Sequence, residues 1–262
     1  MKNFEYCQKE ACSCSACCGI YNWVGYNREL VQEVLERQTE LFLKSDRTSK
    51  DLAKIKKELL GTRPKVLFPK IYNCEFVGFI DDEKKRVGCL LHPDLNDGKN
   101  LRDASFYGRE TCDELYCTAY IYLKPEEARL IAKASQDWYL YGLCLTDIDL
   151  VKEFFRLASE KLGEEVKIEK VLANDSALSV FSEYLHLKES WEYARNPLRF
   201  GKYFFKGDKY FVASIDYAYL KISQNKLDKI LMSLGSEFKS KEEIIRARDK
   251  INSLLRQFLN SL

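Results

Sequence analysis

Cys7-Gln-Lys-Glu-Ala-Cys12-Ser-Cys14-Ser-Ala-Cys17-Cys18-Gly19 is the stretch on which the reading of this chain turns. It places five thiols within a dozen residues. Thiolates are strong, soft ligands, and thiolates held this close usually share a metal. Disulfides are the competing use, but they need well separated Cα atoms and suitably directed Cβ vectors. Cys17 with Cys18, or Cys12 with Cys14, cannot pair without strain, and so dense a clump leaves most thiols without nearby partners. Metal is the reading this pattern favours.

The chain has 262 residues, enough for one sizeable core or two small ones without disulfide staples. Forty-two Lys and Arg against 40 Asp and Glu give a formal net charge of +2. That balance gives no support for nucleic acid as the main partner, because a phosphate-binding surface shows as a basic excess. No apolar run approaches the ~18 residues of a membrane helix. Met1 to Cys7 lacks the apolar core of a signal peptide. We therefore expect a cytoplasmic protein with no membrane partner, in a reducing compartment where abundant cysteine favours metal or redox chemistry. The sequence names no protein partner; the partner it implies is a metal ion.

Nine of the ten cysteines lie between Cys7 and Cys117, and only Cys144 lies beyond. This predicts a cysteine-rich, metal-organised region over 1–124 packed on a helical region over 125–262 with a β-hairpin near 200–215. The class is α+β, mostly α. Leu30, Val31, Val34, Leu35, Leu41 and Phe42 recur at helical spacing behind Asn27 as N-cap. A second helix is predicted from Ser49 to Leu60, ended by Gly61. Cys74 to Ile80 and Arg86 to His92 flank a charged turn and predict a two-stranded ribbon that brings Cys74 near Cys89. Pro125 opens a helix expected to reach Tyr141. Thr146 or Asp147 opens the next, with Gly163 as its stop, and residues after Asp175 form another up to about Ala194. Tyr203 to Val212 predicts a hairpin around Gly207-Asp208. Ser223 and Ser240 open the last two helices, and Ser240 with Glu243 predicts a capping box.

Cys14-Ser-Ala-Cys17 is a C-x-x-C, a spacing that turns two thiolates onto one centre in zinc knuckles and iron–sulfur loops. Cys18 is expected to point away from Cys17, and so to serve a second metal, bind the other side of a cluster, or remain free. Zinc and four-iron clusters each take four ligands. The candidates are Cys7, Cys12, Cys14, Cys17, Cys18, Cys74, Cys89, Cys112 and Cys117, with His92 either a ligand or a residue capping the turn at Pro93. Together they amount to two sites' worth of ligands. Cys144, within Leu143-Cys-Leu, reads as a small buried apolar side chain, and His186 as part of a solvated helix face.

Cys14-Ser-Ala-Cys17-Cys18-Gly19, Cys74, Val87-Gly-Cys89-Leu-Leu-His-Pro, and Cys112 with Cys117 resemble the YkgJ-type cysteine-cluster family, which is described as zinc- or iron-chelating. The resemblance covers roughly residues 7–120. It departs at Ser15, where the family has glycine, and at Ala11, where the family has cysteine. It implies chelation and no defined activity. The C-x-x-x-C-x-x-C of radical enzymes, the P-loop and the dinucleotide fingerprint are absent from the sequence.

Three functions remain in view: a binding module, an iron–sulfur redox or protein-modifying enzyme, and an interaction protein using the aromatic-rich second half. Asp113 and Glu114, beside Cys112, are the acid–base candidates that an enzyme would use. Zinc is the expected metal, because one C-x-x-C with scattered partners is common for it; iron or an iron–sulfur cluster is the alternative. A ligating His92 points to zinc, and an all-cysteine set points to iron.

Overall fold

Asn27 begins the first long helix as its position predicts. The structure, a computed structural model, describes residues 7, 8 and 12–262. The polar leader before Cys7, and Ala11, lie outside the described residues. The Asn27 side chain accepts the Leu30 N–H at 2.8 Å and so caps α1, Arg28–Leu43. Thr48 caps α2, Ser49–Thr62, in the same way. Gly61 does not end α2. The helix runs through it and stops at Arg63, which is extended because Pro64 follows.

The ribbon forms as expected. β1, Val77–Phe79, pairs antiparallel with β2, Val87–Cys89, in a register that sets Val77 opposite Cys89. The segment after it holds two short helices that carry no strong sequence signal, α3 (Gly108–Glu114) and α4 (Thr118–Tyr122).

The helix predicted from Pro125 to Tyr141 is two helices, α5 (Pro125–Ser135) and α6 (Trp138–Thr146). Gln136 turns left-handed at φ 61°, and the Asp137 carboxylate accepts the N–H groups of Tyr139 and Leu140 at 2.8 and 3.0 Å. A side chain that caps a new helix has replaced continuation of the old one. α7, Ile148–Leu162, ends at Gly163 as predicted, and α8, Ile168–Leu172, is a short addition. α9, Asp175–Ser190, stops at Trp191, well before Asn196-Pro197. The predicted hairpin is β4 (Tyr203–Lys206) and β5 (Lys209–Val212), and Arg199–Phe200 adds a third strand, β3, beside β4. Ser223 opens no helix. The helices there are α10 (Tyr217–Leu220), capped by Asp216, and α11 (Asp228–Ser233). Ser240 caps α12, Lys241–Ser261, but Glu243 reaches back to the Lys239 N–H at 2.8 Å rather than to Ser240.

Two large apolar cores result, with a small third cluster of Leu67, Phe68 and Phe205. One lies among α5, α7, α9 and α12 and holds Leu130, Phe154, Phe181, Tyr184 and Phe258. The other joins α1, α2 and the ribbon through Leu35, Phe42, Phe76, Val87 and Leu91. α6 belongs to both. Leu140, Tyr141 and Cys144 enter the first core, whereas Trp138, Tyr139 and Leu143 enter the second. A helix apolar on every side is one that is buried on every side. Tyr21, just after the cysteine stretch, packs onto α6 and donates its hydroxyl to the Tyr139 carbonyl at 2.8 Å. The cysteine segment is thereby fixed at the seam where the cores meet. No helix among the described residues is long and apolar enough to cross a membrane.

Candidate metal centre

The cysteine stretch has little regular structure of its own. The Cys14 N–H donates to the Cys7 carbonyl at 2.8 Å, which closes a small loop and holds these two residues together. A single 3₁₀ turn, Ala16–Cys18, follows and ends at Gly19 with φ 78°. An added Cβ at Gly19 would fall 2.5 Å from the Tyr72 carbonyl oxygen. Here the chain passes close against Tyr72 and Asn73, the Cys74 N–H donates to the Cys18 carbonyl at 2.9 Å, and the Asn73 amide donates to the Gly19 carbonyl at 2.8 Å. The first clump is thus tied by backbone to the cysteine that opens the ribbon.

The ribbon sets Cys89 across from Val77, three residues after Cys74. Cys112 comes in on α3. Tyr72 packs against Phe106, tilted, and edge-on against Tyr107, with ring centroids 4.7 and 5.3 Å away. The buried Arg102 binds Asp113 at 2.6 Å, beside Cys112. Cys117 stands just before α4 and packs, with Cys14, against the helical core. Cys18, Cys74 and Cys89 pack instead against the core of α1, α2 and the ribbon.

The sulfurs act on one another. Burial pushes the Cys7 thiol up to about 12, and Cys17 and Cys117 push the same way. Burial, then Cys7, holds Cys14 well above the ordinary thiol range. Burial raises Cys74, with Cys89 and Cys112 adding to it, and raises Cys89 to about 11 with a further push from Cys112. Cys18 is raised first by its hydrogen bond to Cys17 and then by burial, whereas that same hydrogen bond brings Cys17 down to about 7.

The Ala16 N–H donates to the Cys14 sulfur at 3.4 Å, and the backbone at Phe76 and Leu91 works against burial at Cys74 and Cys89. A backbone N–H aimed at sulfur favours the anionic thiolate, the form that binds metal. Without a cation, burial and mutual repulsion keep most of these thiols protonated. A metal supplies the missing positive charge and displaces the protons. The donor set thus has the chemistry of a thiolate metal centre. No group of three or more His, Cys, Asp or Glu among the described residues stands so as to hold a metal ion.

Two of the candidate ligands stand apart from the rest. Cys12 is fully buried in the helical core, where its thiol donates to the Ala132 carbonyl at 3.4 Å and lies 3.9 Å from the Ser135 hydroxyl. His92 caps the 3₁₀ turn at Pro93–Leu95 by accepting the Asp94 N–H at Nδ1, 3.3 Å away. Cys144 is buried in the core, as expected, and His186 is exposed on α9.

Three features escaped the sequence reading. Arg102 is a buried cation that lowers Cys112 and Cys89 against the effect of burial. A lone arginine in a loop gives no advance sign of this. Glu75 is buried next to Cys74 and accepts the Tyr72 hydroxyl. A carboxylate between two buried positions was the available signal. The other Glu75 oxygen, the Trp23 indole nitrogen and the Gln38 amide oxygen have no hydrogen-bond partner, and all three residues line one cleft of about 160 Å³. Asp113, read as an acid–base candidate, is engaged with Arg102.

No protein-family model, no curated protein and no solved structure matches the chain.

Proposed function

We propose that this chain is a metal-binding protein whose cysteines between Cys7 and Cys117 hold a thiophilic metal centre. What supports the reading is the density of thiols and their environment: burial and neighbouring thiols hold Cys7, Cys14, Cys74 and Cys89 above the ordinary thiol range, and the Ala16 N–H donates to the Cys14 sulfur at 3.4 Å. The ligands are Cys7, Cys14, Cys17, Cys18, Cys74, Cys89, Cys112 and Cys117. Cys12 and His92 leave the set, since one is consumed by core packing and the other by a cap.

An all-cysteine set with apolar walls suits an iron–sulfur cluster, whose potential is governed by burial and by hydrogen bonds to sulfur. Zinc remains the second reading, favoured by the single C-x-x-C spacing. Gly19, the ribbon and the contact with α6 tie the cysteine loops to the fold, and a bound metal would add to their order. Whether the centre is structural or redox-active is settled by its metal. A cytoplasmic setting accords with this reading.

Alkylation of the native, anaerobically purified chain, read residue by residue by mass spectrometry, tests the reading. Cys17 and Cys112 are exposed and should nonetheless be protected until the metal is stripped. Immediate modification of both in the untreated chain would overturn the proposal.

A further inference from the structure

We infer that the cleft where the start of α1 meets the end of α9 and the turn after β3 binds a small organic carboxylate at Arg199. The cleft has a volume of about 420 Å³, within the range of small-molecule sites. None of the residues that line it is a cysteine, so the inference stands apart from the metal-binding reading.

Four cations line the cleft, and three of them are neutralised by close carboxylates. Arg28 donates to Asp137 at 3.1 Å and to Glu189 at 2.7 Å. Lys188 binds Asp147 at 2.6 Å, and Arg195 binds Glu243 at 3.0 Å. Arg199 has no such partner. Its side chain is only 5% exposed, yet Nη1 and Nη2 donate to neutral acceptors, the carbonyls of Ser236 and Gly201, at 2.7 and 3.1 Å. Its Nε has no hydrogen-bond partner at all. The closest carboxylate oxygen, on Glu237, stands 3.9 Å away and already accepts the Asn196 amide at 2.7 Å. Buried charges are ordinarily paired and hydrogen-bonded, and this one is short of both.

The same inventory selects the ligand. The deficit is a single positive charge, and Glu29 and Glu189 share the lining. A monoanion meets that deficit, whereas a dianion such as phosphate is repelled by the two carboxylates. The guanidinium fork matches the planar pair of oxygens of a carboxylate. Tyr26, Tyr139 and Trp191 give the cleft aromatic walls, which suit a ligand with an apolar body.

Calorimetric titration of the full chain with benzoate, acetate and inorganic phosphate tests this. Benzoate should bind one per chain and more tightly than acetate, and phosphate should not bind. Arg199→Gln should weaken benzoate at least about tenfold, the effect of losing one charge-assisted hydrogen bond. Arg199 also holds two backbone carbonyls, so circular dichroism must show this variant folded. Ala194→Trp leaves those bonds in place; Ala194 is exposed and lines the cleft, and the larger side chain should exclude benzoate. Absence of carboxylate binding up to about 10 mM would overturn the inference. So would phosphate binding in preference to benzoate, or benzoate affinity unchanged in folded Arg199→Gln or, should that variant not fold, in Ala194→Trp.

Discussion

Replacing Gly19 with alanine tests how the fold holds the centre. Gly19 has φ 78°, a left-handed backbone that costs an alanine about 1 kcal/mol. The new Cβ would sit 2.5 Å from the Tyr72 carbonyl oxygen and 3.0 Å from the Asn73 Cα. Both are backbone atoms and cannot swing aside, so relief requires moving the 72–74 segment, at the roughly 1–3 kcal/mol typical of overpacking. The movement strains the bonds from Cys74 to Cys18 and from Asn73 to Gly19, each worth about 1 kcal/mol net. The sum is roughly 4–6 kcal/mol at most, a fall in Tm of about 8 °C or more at the ~2–4 °C per kcal/mol of a chain this size. The shift also pulls Cys18 from Cys74, so bound metal should drop. Thermal unfolding by circular dichroism, with metal analysis of the same sample, checks both effects. A Gly19→Ala chain with unchanged Tm and full metal content would refute the reasoning.

Gly142→Ala places a Cβ 2.1 Å from the Tyr21 hydroxyl oxygen and should cost about 2–4 kcal/mol in chemical denaturation, since the bond to Tyr139 is lost as well. Asp147→Ala leaves the buried Lys188 ammonium without its 2.6 Å partner and should cost about 3–5 kcal/mol by the same assay. In the metal-free chain, Cys7 at about 12 and Cys89 at about 11 remain protonated where an unfolded thiol, near 9.0, ionises. The stability they contribute is fully present below pH 9.0 and is lost as pH rises through 11 to 12. The metal-loaded chain should show the reverse trend, losing stability towards acid as protons compete for the thiolates, and unfolding curves across pH with and without chelator distinguish the two.

Much of the helical framework was legible because its ends are marked by local chemistry. Asn27, Gly163 and Ser240 act where their side chains or backbone freedom predict. The break at Gln136–Asp137 was hidden because α6 is apolar on every side, so no periodicity separates it from α5. Ser223 misled because a serine before an apolar run caps only if the chain turns there, and Asp216 had already taken that role for α10. Which core each cysteine packs against was not legible, because sequence spacing does not record it: Cys14 and Cys117 lie on the helical core, and Cys18, Cys74 and Cys89 on the other. Cys12 illustrates the limit. It sits two residues from Cys14 with the same composition around it, yet its side chain turns into the helical core. His92 shows the same ambiguity resolved the same way, since a histidine before proline serves as well in a cap as in a ligand set.

The account's central claim is that these cysteines hold metal, and the direct measurement is iron, acid-labile sulfide and zinc per chain in protein purified without oxygen. The account predicts stoichiometric metal, as about four iron and four sulfide per four-iron cluster with broad visible absorbance or as zinc in a colourless chain. A folded, colourless chain with no bound metal and all ten thiols free would contradict the account.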